Sequence, residues 1–238
     1  MLYTIAHKVT DYEEIQPGTV GLQVGNNERF LGLRDSDVED NISEWNPVYA
    51  ELTGIYYIWK NDHDEIKGSH QYRRWLPLTE GIPEGYKVRT CKPLNLSYTV
   101  RQQYSAFHSQ KDLYQVTKIL DAYFPEYLDT WLKVLDGHTL YYSNGFAMHG
   151  EDYDRYCRWL FGILELMKHM NQWYRPEDVS ITVESEIRRG FRNGVRGLKY
   201  QSQVLAFLSE RLFTLYILHN FKGRIYEDKY ELKENSGI

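Results

Sequence analysis

The sequence predicts an α/β domain. Short apolar runs bounded by polar residues or glycine alternate with stretches whose apolar residues recur at helical spacing, and no segment repeats at a fixed period. With 238 residues, 42% of them hydrophobic, the chain is long enough to bury one sizeable core, so the expectation is a single domain over residues 1–238.

The elements follow in order. Tyr3–Ala6 and Val20–Val24 are apolar runs ending in turn residues and read as strands. Asn46 then offers an N-cap with Pro47 at the first helical position. Val48, Leu52, Ile55, Tyr56 and Trp59 keep helical spacing, which predicts one helix from this start to Asn61. Glu65–His70 reads as a short strand that delivers Tyr72, Arg73 and Arg74 to its carboxyl end. The proline- and glycine-rich stretch Pro77–Pro93 lacks periodicity and is either a loop or an irregular strand pair. Val100–Phe124 returns to helical spacing, Pro125 opens a further helix ending at Gly137, and Thr139–Met148 reads as a strand with Asn144 in its middle. Tyr153–Met167 is an amphipathic helix whose stripe belongs to the core. Pro176–Lys199 carries Arg188, Arg189, Arg192 and Arg196 and reads either as a mobile lid over an anionic substrate or as a solvated loop. Val204–Leu218 is the last long helix, and 223–238 is an edge strand or tail.

Composition excludes several function classes. A formal net charge of -5 with no basic stripe argues against a nucleic-acid binder. Two cysteines, Cys91 and Cys157, form no disulfide framework and suit a reducing cytoplasm. The start of the chain lacks the pattern of a signal peptide, and no apolar run is long enough to span a bilayer, so the expected location is cytoplasmic. The 21 tyrosines exceed what a core needs, and their amphipathic rings suit sugars and nucleobases.

The segment Gly68–Trp75 carries the most chemistry, because it sets Arg73 and Arg74 among aromatics at the end of a strand. Guanidinium offers a planar fork of donors that matches phosphate oxygens, so two of them on a tight segment can grip a diphosphate. The plain alternative is a surface ion-pair cluster. Asp35-Ser36-Asp37 and Asp62-His63-Asp64 fit an Asp-x-Asp metal pattern, but both stand in turn-like polar surroundings. The expectation is that no metal is required, although magnesium or manganese could serve the same diphosphate.

Asp40-Asn41-Ile42-Ser43, Asn46, the run Glu51–Asn61, Gly68 and Tyr72-Arg73-Arg74 resemble, in order and spacing, the DUF4422 family of bacterial capsular and exopolysaccharide biosynthesis proteins. Gln103-Tyr104 with His108, Asn144–Met148, Tyr156–Phe161 and Ser209–Leu212 are similar to its later blocks. The resemblance implies a GT-A-like fold, a mixed central sheet flanked by helices. It also implies transfer of a hexose, galactofuranose among the candidates, from a UDP-sugar to a lipid-linked or oligosaccharide acceptor of a capsular, exopolysaccharide or O-antigen glycan. Peripheral association with the inner membrane face would accompany such an acceptor.

On this reading His7, Gly25, Asn41, Ser43, Gln71, Tyr72, Arg73 and Arg74 bind the donor. Arg73 and Arg74 stabilise the leaving group, His108, Asn144 and Arg211 hold the acceptor, and Glu210 or Asp40 is the general base. The chain departs from the family where a histidine usually precedes Tyr-Arg-Arg: Gln71 stands there and His70 lies one place earlier. An amide cannot exchange a proton near neutrality, which makes a non-catalytic sugar-binding or scaffold subunit a rival reading; the paired arginines would also suit a phosphate-ester hydrolase or other nucleotide-processing enzyme.

Overall fold

The computed structural model describes residues 1–8, 15–229 and 231–232. Strands β1 (Leu2–Ala6), β2 (Val20–Gln23) and β3 (Leu33–Arg34) come first, then α1 (Asn46–Tyr49), α2 (Leu52–Asn61), β4 (Ile66–Gln71) and the short β5 (Arg74–Trp75). Next are β6 (Val88–Cys91), β7 (Leu94–Asn95), α3 (Val100–Phe107), α4 (Gln110–Tyr123), α5 (Leu128–Asp136), β8 (Thr139–Leu140) and β9 (Phe146–His149). The chain continues through α6 (Gly150–Asn171), α7 (Pro176–Arg188), α8 (Gly197–Gln201), α9 (Val204–Asn220), β10 (Ile225–Asp228) and β11 (Glu231–Leu232).

A seven-stranded mixed sheet, ordered β10-β6-β9-β4-β1-β2-β3 and flanked by helices, forms the centre of this α/β fold. Strands β4, β1, β2 and β3 run parallel, whereas β9 is antiparallel to both β4 and β6. Gly68 makes the β4–β9 pairing close, since a Cβ there would lie 2.6 Å from the carbonyl oxygen of Phe146. Helix α2 packs its buried Leu52, Ile55 and Ile58 on the sheet, and Gly54 brings it within contact of Ile5 and Val24. Helix α9 is buried round nearly its whole circumference, with Phe207, Glu210 and its last three residues, Leu218–Asn220, only partly covered. No helix among the described residues is long and apolar enough to cross a membrane.

Several expectations need correction. The single helix from Asn46 is two, broken at Ala50, which holds φ 48° and ψ -127°. Pro77–Pro93 contains β6, an internal strand whose four residues are all buried. Its Arg89 is satisfied by Asp228 at 2.5 Å, Glu80 at 2.8 Å and the carbonyl of Gly81 at 2.7 Å. Val100–Phe124 is two helices parted at His108–Ser109, and Thr139–Met148 is two short strands parted by a turn with Ser143 and Asn144 at positive φ.

The arginine-rich stretch from Pro176 is helical over α7, and Arg192 is buried. It pairs with Asp112 at 2.8 Å and Glu186 at 2.9 Å, so it is unavailable to a substrate. The expected C-terminal edge strand is β10, at the border of the sheet.

Candidate functional site

The carboxyl ends of β1, β2 and β4 open on a cleft of about 880 Å³. From β1 the chain builds outward through β2 and β3, then crosses back through α1 and α2 to β4 on the other side of β1. That reversal is the switch point where open α/β sheets hold ligands. His7 lines the cleft after β1, Asn26 and Asn27 after β2, Ser43 and Pro47 near the start of α1, and Glu51 between α1 and α2. Gln71 to Arg74 form the wall beyond β4, and Lys199, Tyr200 and Gln203 face them from α8 and the residues after it.

Arg73 and Arg74 both border this space. Arg73 is exposed and stacks over the Tyr72 ring at 4.9 Å. Arg74 lies 5.6 Å from the Tyr142 ring and donates Nη1 to Oε1 of Gln71 at 3.0 Å. Among the described residues neither guanidinium has a carboxylate partner, so both charges are open to an anion in the cleft. Tyr72 is buried with its ring 5.6 Å from that of His7, and together they form an aromatic corner.

Glu51 is the residue that sequence reasoning missed. It is half-buried at the break between α1 and α2, and its Oε1 accepts from Asn144 Nδ2 at 2.9 Å. Burial raises its carboxyl above the usual range. The hydrogen bond from Asn144 and the nearby Gln71 amide oppose the rise, and the Glu210 charge adds to it. The signal available in the sequence was an acidic residue within an otherwise apolar helical run, which looks like any solvated helix position.

The other candidates divide between contact and support. Ser43 lines the cleft, and Asn41 supports it: Asn41 Oδ1 accepts from the Ser43 hydroxyl at 2.6 Å and from its N–H at 3.1 Å. Gly25 sits at φ 82°, where a Cβ would come 2.7 Å from Asn46 Oδ1, so its role is to admit Asn46. Asn144 stands behind Glu51 and is held by Ser209 at 2.9 Å. Glu210 accepts from the Ser143 N–H at 2.7 Å and pairs with Arg211 at 2.7 Å.

Three placements differ from expectation. Asp40 lies outside the cleft lining, where the Tyr56 hydroxyl at 2.7 Å and Lys60 at 3.2 Å hold its carboxyl below the usual range. His108 is buried, stacked on Phe207 at 4.1 Å and bonded to Gln201 at 3.2 Å; burial and the Arg211 charge lower its pKa to about 3. It supports α8 from behind. Arg211 is buried, stacked over Tyr104 at 5.1 Å and bonded to Gln103, Glu210 and the Phe207 carbonyl, which leaves it no path to an acceptor.

His70 cannot replace the proton chemistry that Gln71 lacks. Burial takes its pKa down to about 4. Its Nδ1 accepts from the Leu76 N–H at 3.0 Å, which leaves Nε2 to donate to Thr4 at 2.8 Å.

The Asp-x-Asp segments are occupied elsewhere. Asp35 is buried beneath the Gly25 N–H, Asp37 pairs with Arg29, and Asp62 and Asp64 pair with the amino group of Met1 at 3.0 Å and 2.5 Å. None of them lines the cleft. Among the described residues no group of three or more His, Cys, Asp or Glu is arranged to hold a metal ion.

A family model described as a domain of unknown function, DUF4422, matches residues 1–92 and 78–183. No curated protein matches the chain. Among solved structures the chain is similar to one described as the apo structure of WbbM, a bifunctional glycosyltransferase. The TM-score is 0.75 at 22% sequence identity, over 98% of this chain and 45% of that one. The chain therefore spans under half the length of that protein, and at this identity the likeness is one of fold.

Proposed function

This chain belongs to the DUF4422 family, and from that premise we propose that it is a glycosyltransferase. It transfers a hexose, galactofuranose among the candidates, from a UDP-sugar to a hydroxyl of a growing capsular, exopolysaccharide or O-antigen glycan. The acceptor is an oligosaccharide or a lipid-linked glycan, met at the cytoplasmic face of the membrane. The likeness of fold to a bifunctional glycosyltransferase supports this reading.

The observation that carries it is the pair of guanidinium groups, Arg73 and Arg74, bordering a strand-end cleft without carboxylate partners among the described residues. Breaking the glycosidic bond of a nucleotide-diphosphate sugar leaves negative charge on the diphosphate, and fixed donors at that place stabilise the charge as it develops. Gln71 holds Arg74 in position, Ser43 offers a hydroxyl, and Tyr72 with His7 offers ring surface to the nucleoside. Guanidinium charge stands in for a divalent cation, in keeping with the structural commitments of the Asp-x-Asp segments.

The test is a thermal-shift screen against UDP-, GDP- and dTDP-sugars with and without manganese, followed by transfer assays of wild type and Arg74→Ala. The expected result is stabilisation by UDP-sugars in the presence of a chelator. In the variant, affinity or transfer should fall about 10- to 100-fold, the loss of one charge-assisted contact. Full activity in Arg74→Ala removes the central role of the pair, and donor binding without turnover in wild type marks a sugar-binding subunit instead.

A further inference from the structure

Resting on the glycosyltransferase reading, we propose that Glu51 is the general base that takes the proton from the acceptor hydroxyl.

The backbone is bent to put Glu51 where it is. A continuous helix from Asn46 to Asn61 would carry this side chain along the helix flank, but Ala50 breaks the helix in a conformation that non-glycine residues rarely adopt. The break is held by Asn46, whose carbonyl accepts from the Ala50 N–H at 2.8 Å and whose Nδ2 donates to the Ala50 carbonyl at 2.9 Å. Strained backbone of this kind persists where the surroundings over-determine it and collects at functional sites. A second strained turn faces it: Ser143 at φ 68° and Asn144 at φ 49° aim the Asn144 amide at Glu51.

The groups around Glu51 fit a base. From the β8–β9 turn Asn144 donates to it, from β4 the Gln71 amide favours its charged form, and from α9 the Glu210 charge lies close by. The same Gln71 accepts from Arg74 at 3.0 Å through its Oε1, so base and leaving-group cation have one glutamine as a common neighbour. Burial and the Glu210 charge raise the Glu51 carboxyl, which strengthens it as a base.

Glu210 is the weaker candidate because both its oxygens are engaged, one by the Ser143 N–H and one by Arg211. Asp40 is outside the cleft.

The step is a direct displacement. The acceptor oxygen forms a bond to the anomeric carbon while its O–H proton passes to the Glu51 carboxylate. The bond from the anomeric carbon to the diphosphate breaks, and its electron pair leaves on the phosphate oxygen facing Arg73 and Arg74. The configuration at the anomeric carbon inverts.

The experiment compares wild type, Glu51→Gln, Glu51→Asp and Glu210→Gln in calorimetric UDP titrations, thermal melts and transfer assays against pH, with the product anomer assigned by NMR. Glu51→Gln is expected to bind UDP within about twofold of wild type while kcat falls about 10²- to 10⁴-fold. The wild-type acid limb of kcat/KM should disappear in that variant and shift in Glu51→Asp, and Glu210→Gln should lower kcat far less. Wild-type turnover in Glu51→Gln, a retained anomeric configuration, or loss of turnover confined to Glu210→Gln overturns the assignment alone. A wild type that neither binds UDP nor transfers sugar overturns the glycosyltransferase reading and the assignment with it.

Discussion

Asn144 donates its side-chain amide to Glu51 across 2.9 Å, joining a cleft-lining residue to one 93 positions away that stands behind it. Asn144→Gly keeps the positive φ and removes the contact, whereas Asn144→Ala also strains the backbone by about 1–2 kcal/mol. Both variants should lose transfer to a similar extent, and only the alanine variant should lose this further stability, read from urea midpoints.

Gly68→Ala tests the close pairing at the centre of the sheet. An added Cβ would meet the Phe146 carbonyl at 2.6 Å and Ala147 Cα at 2.7 Å, both backbone atoms that cannot swing aside. The expected result is a loss of roughly 3 kcal/mol or more, or failure to accumulate as folded protein, judged by circular dichroism and urea unfolding.

Arg192→Ala distinguishes a structural arginine from one that meets substrate. The variant leaves the buried Asp112 without its cation and Glu186 with Lys111 alone, at 3.4 Å, at an expected cost of about 3–5 kcal/mol. UDP affinity per folded molecule should match that of wild type in a calorimetric titration at low temperature. A specific loss of donor affinity would return this segment to the role of a lid.

Two buried histidines should draw stability down as pH drops below about 6.5, against the buried carboxyls of Asp35, Glu51 and Asp112, whose raised pKa acts in the opposite direction. The folded chain protonates His70 only near pH 4 and His108 only near pH 3, because both are buried, whereas each titrates near 6.5 in the unfolded chain. Between these limits the unfolded state binds more protons, so acid favours it by roughly 1.4 kcal/mol per pH unit for each histidine. Urea titrations from pH 7.5 to 4.5 of wild type and His108→Gln check this: the variant should lose roughly 1.4 kcal/mol per pH unit less than wild type below about pH 6.

Much of the fold was legible in the sequence because periodicity reports burial. The runs at Tyr3–Ala6 and Val20–Val24 became β1 and β2, and the strand before Tyr72 became β4 with its arginines at the cleft. Strand β6 was hidden because all four of its residues are buried, Arg89 among them, so neither alternation nor apolarity marked it. Arg192 looked as solvated as Arg188, Arg189 and Arg196, since its buried ion pair with Asp112, 80 positions away, cannot be read from the sequence.

The sequence by itself determined an α/β chain with a phosphate-suited arginine pair at the end of a strand, because hydrophobic period and local chemistry are properties of neighbouring residues. Only the tertiary structure decided which acids and histidines reach the cleft: it drew Asp40 and His108 away and brought Glu51 in through a helix break at Ala50. That choice depends on contacts such as Asn144 with Glu51 and Asn46 with Ala50, which join segments only after the chain has folded and which no local pattern encodes.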